Sequence, residues 1–338
     1  MKTKRASNHL GTQVMRMQQI MTASAAVGAI IWCVYFWPTS PVLAIVGSLV
    51  CLLGFAGVLA MEFIALSLVN RSDPSPKATA QILFNAWLSE IITVASVFCW
   101  RQPFRPCEVP DRLHGEHLLG QRGVVFIHGL ICNRGFWTSW MKRLQKLGSQ
   151  PHQHAFVAVS LEPIFISIDD YVDQIDLAVI DVTTASGLPP ILVCHSMGGL
   201  AARAWLDVQT NSSRVHHVVT IGTPHQGTWL ARFAHGPSGR QMRLESEWLQ
   251  QLNGLKTVDG TRPNDESAAI KEPVRITCWY SNCDNIVFPT SSATLQGADN
   301  RLVQGAAHLQ LAFWPEVMET TFDLIANSPN SDLLDAGV

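Results

Sequence analysis

Charge is scarce in this chain. Of its 338 residues only 15% are Asp, Glu, Lys or Arg, and the formal net charge is −2. No basic field therefore exists to draw the protein to nucleic acid, and no nucleic-acid partner is expected. Cysteines are present but unpatterned. Cys278 and Cys283 have no second pair at matching spacing, which argues against a tetrahedral zinc site and leaves reduced thiols as the reading. Neither a metal nor an organic cofactor is expected. A secretory cleavage site is missing as well: no small-residue signal precedes Pro38, and a second apolar run follows at once.

Apolar residues are in excess, at 47%, and the excess lies at the N-terminus. After a basic segment, 1–19, residues 20–37 are apolar apart from small hydroxyl residues, and 42–69 carry one charge, Glu62. At about 1.5 Å rise per residue, either run can cross a hydrocarbon core about 30 Å thick. Pro38-Thr39-Ser40-Pro41 joins them, so 20–69 reads as a transmembrane hairpin. Lys2, Lys4, Arg5 and Arg16 flank one end, Arg71 and Lys77 the other, and the turn carries no Lys or Arg, which puts both ends in the cytoplasm.

Within 70–110, residues 78–100 are apolar except for Gln81, Asn85, Ser89 and Glu90. They read as an interfacial helix with Ile82, Leu83, Trp87, Ile91 and Ile92 toward lipid or protein and the polar residues opposite. Arg101, Arg105 and Arg112 follow and favour that reading. The alternative is a third span, which would move the remaining chain to the periplasmic side. The odd set Cys107, Cys132, Cys194, Cys278 and Cys283 also suits a compartment where thiols stay reduced.

Chemistry concentrates around Cys194-His195-Ser196-Met197-Gly198, between the apolar run 190–193 and the helix-forming run 200–206. A strand turning sharply into a helix around a serine is a nucleophile elbow, with Ser196 as nucleophile; the plainer reading of that serine is a helix N-cap. Cys194 stands where the usual pattern has its first glycine. Upstream, the strand 123–127 enters a glycine turn, so the backbone N–H groups of Leu130 and Met197 are the candidate oxyanion hole. Downstream, a strand over 273–280 precedes Asp284, the candidate acid, with Asp299 as the other choice. His308 alone among the twelve histidines follows Asp284 in the order serine, acid, histidine. We read His114, His117, His152, His154, His216, His217 and His235 as surface or structural groups.

Strands over 156–159 and 215–221 alternate with helices over 168–183 and 309–326, which predicts an α/β domain over 111–327: a mainly parallel, doubly wound sheet with helices on both faces and few leading antiparallel strands. Residues 228–270 break the alternation with an amphipathic insertion, a lid or a fixed cap, in which Gly236-Pro237-Ser238-Gly239 reads as a hinge-like loop and 257–267 as a polar loop. The tail 328–338 is expected to be disordered.

In these features the chain resembles a bacterial lipase or esterase of the α/β-hydrolase superfamily. The likeness rests on Phe126-Ile127-His128-Gly129-Leu130, the serine elbow, Thr220-Ile221-Gly222-Thr223-Pro224-His225-Gln226-Gly227, Asp284-Asn285-Ile286-Val287 with Pro289, and Gly305 to His308. It implies hydrolysis of a carboxylic ester with Ser196, Asp284 and His308 as a triad, at a bacterial inner membrane. His225 falls in a signature that shapes the floor of the site and receives no catalytic role. Membrane attachment and the apolar insertion favour a lipid-like acyl ester as substrate. An acyltransferase using the same triad is the alternative, and a catalytically silent membrane scaffold a weaker one. No residue reports an oligomeric state.

Overall fold

Short runs of branched and aromatic residues become strands here because they are covered on both faces. The computed structural model describes residues 12–147, 153–209, 212–254 and 274–328. Lys2, Lys4, Arg5, His152, the 257–267 loop and the tail from 329 onward lie outside the described residues. Strands β1 (Val124–Ile127), β2 (Phe156–Val159), β3 (Ile191–His195), β4 (His217–Ile221), β5 (Arg275–Ser281) and β6 (Asp299–Val303) form one sheet in the order β2-β1-β3-β4-β5-β6. Every neighbouring pair is parallel. Strand order reverses between β1 and β3, the place where open α/β sheets bind ligands. Ahead of β1 the sheet gains an antiparallel bridge from Arg112 to Phe156.

Helices α1 (Thr12–Phe36), α2 (Pro41–Val69), α3 (Ala80–Ser96) and α4 (Gln102–Phe104) precede the sheet. Helices α5 (Thr138–Leu147), α6 (Val172–Ser186), α7 (Met197–Val208), α8 (Pro237–Gln241), α9 (Glu247–Leu252), α10 (His308–Leu311) and α11 (Pro315–Asn327) connect or follow the strands. Because strand side chains alternate faces, Val125, Ile127, Leu192 and Cys194 meet Ile175 and Val179 of α6 and Leu200 of α7. On the other face Val124, Phe126, Ile191 and Val193 meet Trp140 of α5 and Phe322 of α11.

Two local expectations are corrected. The closing helix is not continuous: α10 ends before Ala312 and α11 restarts at Pro315, because proline has no N–H to continue a helix but fits its first turn. Gly236-Pro237-Ser238-Gly239 is not a hinge-like loop either. Pro237 opens α8, and a Cβ on Gly239 would lie 2.4 Å from the Cβ of Ala234. Met242 and Leu249 join the main core.

The first three helical segments, 13–36, 41–69 and 80–104, are each long and apolar enough to cross a membrane. Val34, Val42 and Ile92 are 69%, 72% and 72% exposed, as lipid-facing residues would be without lipid. Ser40 caps α2 by accepting from Leu43 N, and Pro41 sits at its first position. The α1–α2 hairpin closes where the Trp32 ring covers Gly47 and its Nε1 donates to Leu43 O at 3.0 Å. Helix α1 starts at Thr12, ahead of the apolar run that marked it in the sequence.

Helix α3 packs against the sheet domain near both of its ends. Ile82, Leu83 and Trp87 pack with Phe288 and Ala307, Val94 and Val97 with the core around Phe136, and Arg101, in the π-helical turn Val97–Arg101 that leads to α4, donates to Ser139 Oγ at 2.9 Å. Gln81 and Asn85 stay exposed and bond each other at 3.0 Å. Glu90 does not follow the expected pattern: it is 1% exposed and turned into the domain, where unpaired backbone N–H groups of α10 receive it.

Candidate active site

The C-terminal edge of the sheet brings the candidate residues together. Strand β3 ends at His195, and Ser196 then adopts φ 56° and ψ −130°, a conformation that costs a non-glycine residue about 1–3 kcal/mol. Surrounding bonds hold it there: Ser196 N donates to Ile221 O at 2.9 Å, and Ser196 O accepts from Gly199 N at 3.0 Å and from Thr223 Oγ1 at 2.9 Å. Gly198 lets α7 abut the end of β1, since a Cβ there would sit 2.5 Å from Ile127 O and 2.6 Å from His128 O. Cys194 is buried within β3 and packs in the core, so the close approach that demands glycine falls at Gly198.

On the facing side, Gly129 lies against the serine: a Cβ on it would be 2.7 Å from Ser196 Cβ and 3.3 Å from Oγ. Leu130 follows in the same turn. His128 pins that turn through its Nδ1, 2.8 Å from Gly129 O, and its Nε2, which accepts from Leu161 N at 3.1 Å. Burial pushes His128 down to about 4, keeping it neutral and suited to this bonding. Met197 opens α7, where first-turn amides have no intrahelical partner and the helix dipole favours negative charge.

Beyond β5, the buried Asp284 carboxylate lies 2.9 Å (Oδ1) and 3.0 Å (Oδ2) from His308 Nδ1. Its Oδ1 also accepts from Ile286 N at 3.0 Å and Val287 N at 2.8 Å, fixing its orientation. Burial pushes the His308 pKa down, but Asp284, with Glu90 and Glu62 farther out, outweighs this and leaves it raised above its ordinary value. Gly222, at φ +58°, passes so close that a Cβ would be 3.0 Å from Asp284 Oδ2. Asp299 is elsewhere, at the exposed start of β6, paired with Arg301 at 2.7 Å. Ser196 Oγ and His308 Nε2 form no hydrogen bond with each other here, a looseness common until substrate tightens such pairs.

Several neighbours were not singled out from the sequence. His195 stacks on Phe136 with ring centroids 4.5 Å apart, lies 4.6 Å from the His308 ring, and donates from Nε2 to His308 O at 3.2 Å. Burial, with the nearby His308, holds it well below the ordinary histidine range. Asn285, Glu62 and Glu90 also converge on His308. The signal for the two glutamates was a lone carboxylate in an apolar run. His225 is buried, 3.0 Å from Thr220 Oγ1, 3.4 Å from Cys278 Sγ and 3.4 Å from Arg203 Nη1. Arg203 in turn donates to Leu252 O and Asn253 Oδ1, tying the cap to α7. Cys278 and Cys283 are free thiols whose pKa values burial pushes up to about 11 and about 12.

Comparisons with known proteins bear on the fold and the family. No curated protein matches the chain. Solved structures similar to it include Aspergillus fumigatus lipase B, at 17% identity over 82% of this chain and 83% of that one, with a TM-score of 0.54. The mature lipase BlEst2 of Bacillus licheniformis aligns at 17% identity over 60% and 92%, TM-score 0.48, and a monoacylglycerol lipase of Paleococcus ferrophilus at 15% over 63% and 96%, TM-score 0.43. At such identities the likeness is one of fold. A model of the alpha/beta hydrolase family matches residues 124–323, well over half of the chain, and the chain belongs to that family.

Proposed function

We propose that this protein is a membrane-anchored serine hydrolase that cleaves carboxylic esters of lipid-like acyl substrates. One observation carries the reading: His308 binds the buried Asp284 through Nδ1 and lies with its ring 4.6 Å from that of His195, the residue just before the strained Ser196 at the end of β3. Ser196 Oγ attacks the ester carbonyl while its proton passes to His308 Nε2, and Asp284 stabilises the imidazolium. The N–H groups of Leu130 and Met197 hold the oxyanion; losing one such donor costs about 100- to 1000-fold in rate. Collapse expels the alcohol with the proton from His308. Water, deprotonated by the same ring, then releases the acid and restores Ser196.

The lipid-like substrate is supported by position, because the three apolar helices pack at the same edge of the sheet as Ser196. The contacts of α3 with the domain, and the Lys and Arg residues that flank the hairpin, favour a two-span hairpin with α3 at the interface and the domain cytoplasmic. Purified full-length enzyme assayed on esters of graded chain length should prefer long acyl chains; equal or better turnover of acetyl esters would refute the lipid-like assignment. For topology, a cysteine label at Ser40 should react with an impermeant reagent in intact cells while one at Arg112 stays protected, after native thiols are removed. Reaction at Arg112 would place the enzyme on the outer side.

A further inference from the structure

The N-terminal helices do more than tether the domain, because each one grips a residue next to a different group of the site. In α1, Gln18 Nε2 donates to Ile131 O at 3.1 Å, one residue from Leu130. In α2, Glu62 Oε2 accepts from Asn285 Nδ2 at 2.6 Å, one residue from Asp284, and Asn285 Oδ1 accepts from His308 N at 3.2 Å. In α3, Glu90 Oε1 accepts from Leu309 N at 2.8 Å and Oε2 from Gln310 N at 3.1 Å. The two amides after His308 are thus bound by a carboxylate 219 and 220 residues away in sequence, and the His308 amide is bound by Asn285, which a carboxylate 223 residues from it holds in turn.

A carboxylate within an apolar segment is expensive and is retained where it meets a partner. A simple anchor needs neither Glu62 nor Glu90. Both point away from the exposed apolar surface of their helices and into the polar cluster behind His308. We propose that Glu62 and Glu90 are positioning residues for His308, so that the membrane helices complete the catalytic site: Glu90 clamps the start of α10, and Glu62 acts through Asn285. The other titratable groups facing His308 are Asp284 from the loop after β5 and the neutral His195 from β3. The proposal rests on the hydrolase reading above.

The test uses the full-length protein in detergent with a water-soluble nitrophenyl ester. Active sites are counted by the fluorophosphonate burst, so that kcat refers to folded enzyme. Glu90→Ala and Glu62→Ala should each lower kcat by about 10- to 100-fold with KM changed less than about twofold, the range set by displacing a reacting group by about 1 Å. Asn285→Ala should match Glu62→Ala, and the double variant should be no worse than either, since both break one chain of bonds. Glu90→Gln keeps one acceptor and should recover part of the kcat lost in Glu90→Ala. A merely structural role would reduce the number of active sites but leave kcat per site unchanged, and that result overturns the proposal. Retained activity in Ser196→Ala would instead refute the hydrolase reading.

Discussion

Replacing Gly198 by alanine tests the elbow through one added methyl group. The new Cβ would lie 2.5 Å from Ile127 O and 2.6 Å from His128 O. Both obstacles are backbone, at the end of a strand buried in the sheet, so neither can turn aside as a side chain would. Ordinary contact begins at 3.4 Å, so α7 and β1 must separate by about 0.9 Å if van der Waals contact is to be restored. Met197 N moves with α7, whereas Leu130 stays with β1, and the two oxyanion donors spread apart. A misplacement near 1 Å costs about 100-fold, and overpacking destabilises by about 1–3 kcal/mol. At about 2–4 °C per kcal/mol for a domain of this size, the unfolding midpoint should fall by several degrees. The assay is ester turnover by purified full-length protein beside a thermal melt. We expect kcat down about 100-fold with a cooperative melt still present; wild-type kcat in this variant would refute the close-packing argument.

Three further outcomes follow from the Asp284–His308 pair and its surroundings. Asp284→Asn should lower kcat by about 10⁴-fold by trapping the wrong imidazole tautomer, whereas Asp299→Asn, at an exposed ion pair, should leave it within about twofold of wild type; steady-state kinetics decides, and the reverse ranking would overturn the choice of acid. Because the His308 pKa is raised and its neutral form is the base, activity should rise with pH through a midpoint above the ordinary value of about 6.5. The same shift makes its stability contribution fully present below the unfolded pKa and lost as pH rises through the folded one, so melts across pH 5 to 9, a span of roughly four units around that value, should trend against activity. Gly222→Ala should reduce both activity and stability, since the residue sits at φ +58° and its Cβ would press on Asp284 Oδ2 and His308 Nδ1; an unchanged melt would contradict this.

Local chemistry made much of the fold legible. Four-residue strands such as Val124–Ile127 and Phe156–Val159 announce themselves because a strand buried on both faces must be apolar throughout. The elbow was readable because strand, serine and glycine are contiguous, even with Cys194 in the usual glycine place. Pro315 was also in view, yet apolar periodicity on either side of it masked the break between α10 and α11. The contacts of Glu62 and Glu90 with the His308 region were out of reach for a different reason. They join residues separated by 223 and 219 positions, and no periodicity in either helix says what lies across from it. Likewise, only the packing of the end of β3 against α10 brings the His195 ring beside His308.

The central claim is that Ser196 is the nucleophile. Full-length protein should react with a fluorophosphonate probe, and peptide mapping should place the adduct on Ser196, with labelling lost in Ser196→Ala and strongly slowed in His308→Ala. An adduct on another residue, or undiminished ester hydrolysis by Ser196→Ala, would contradict the account.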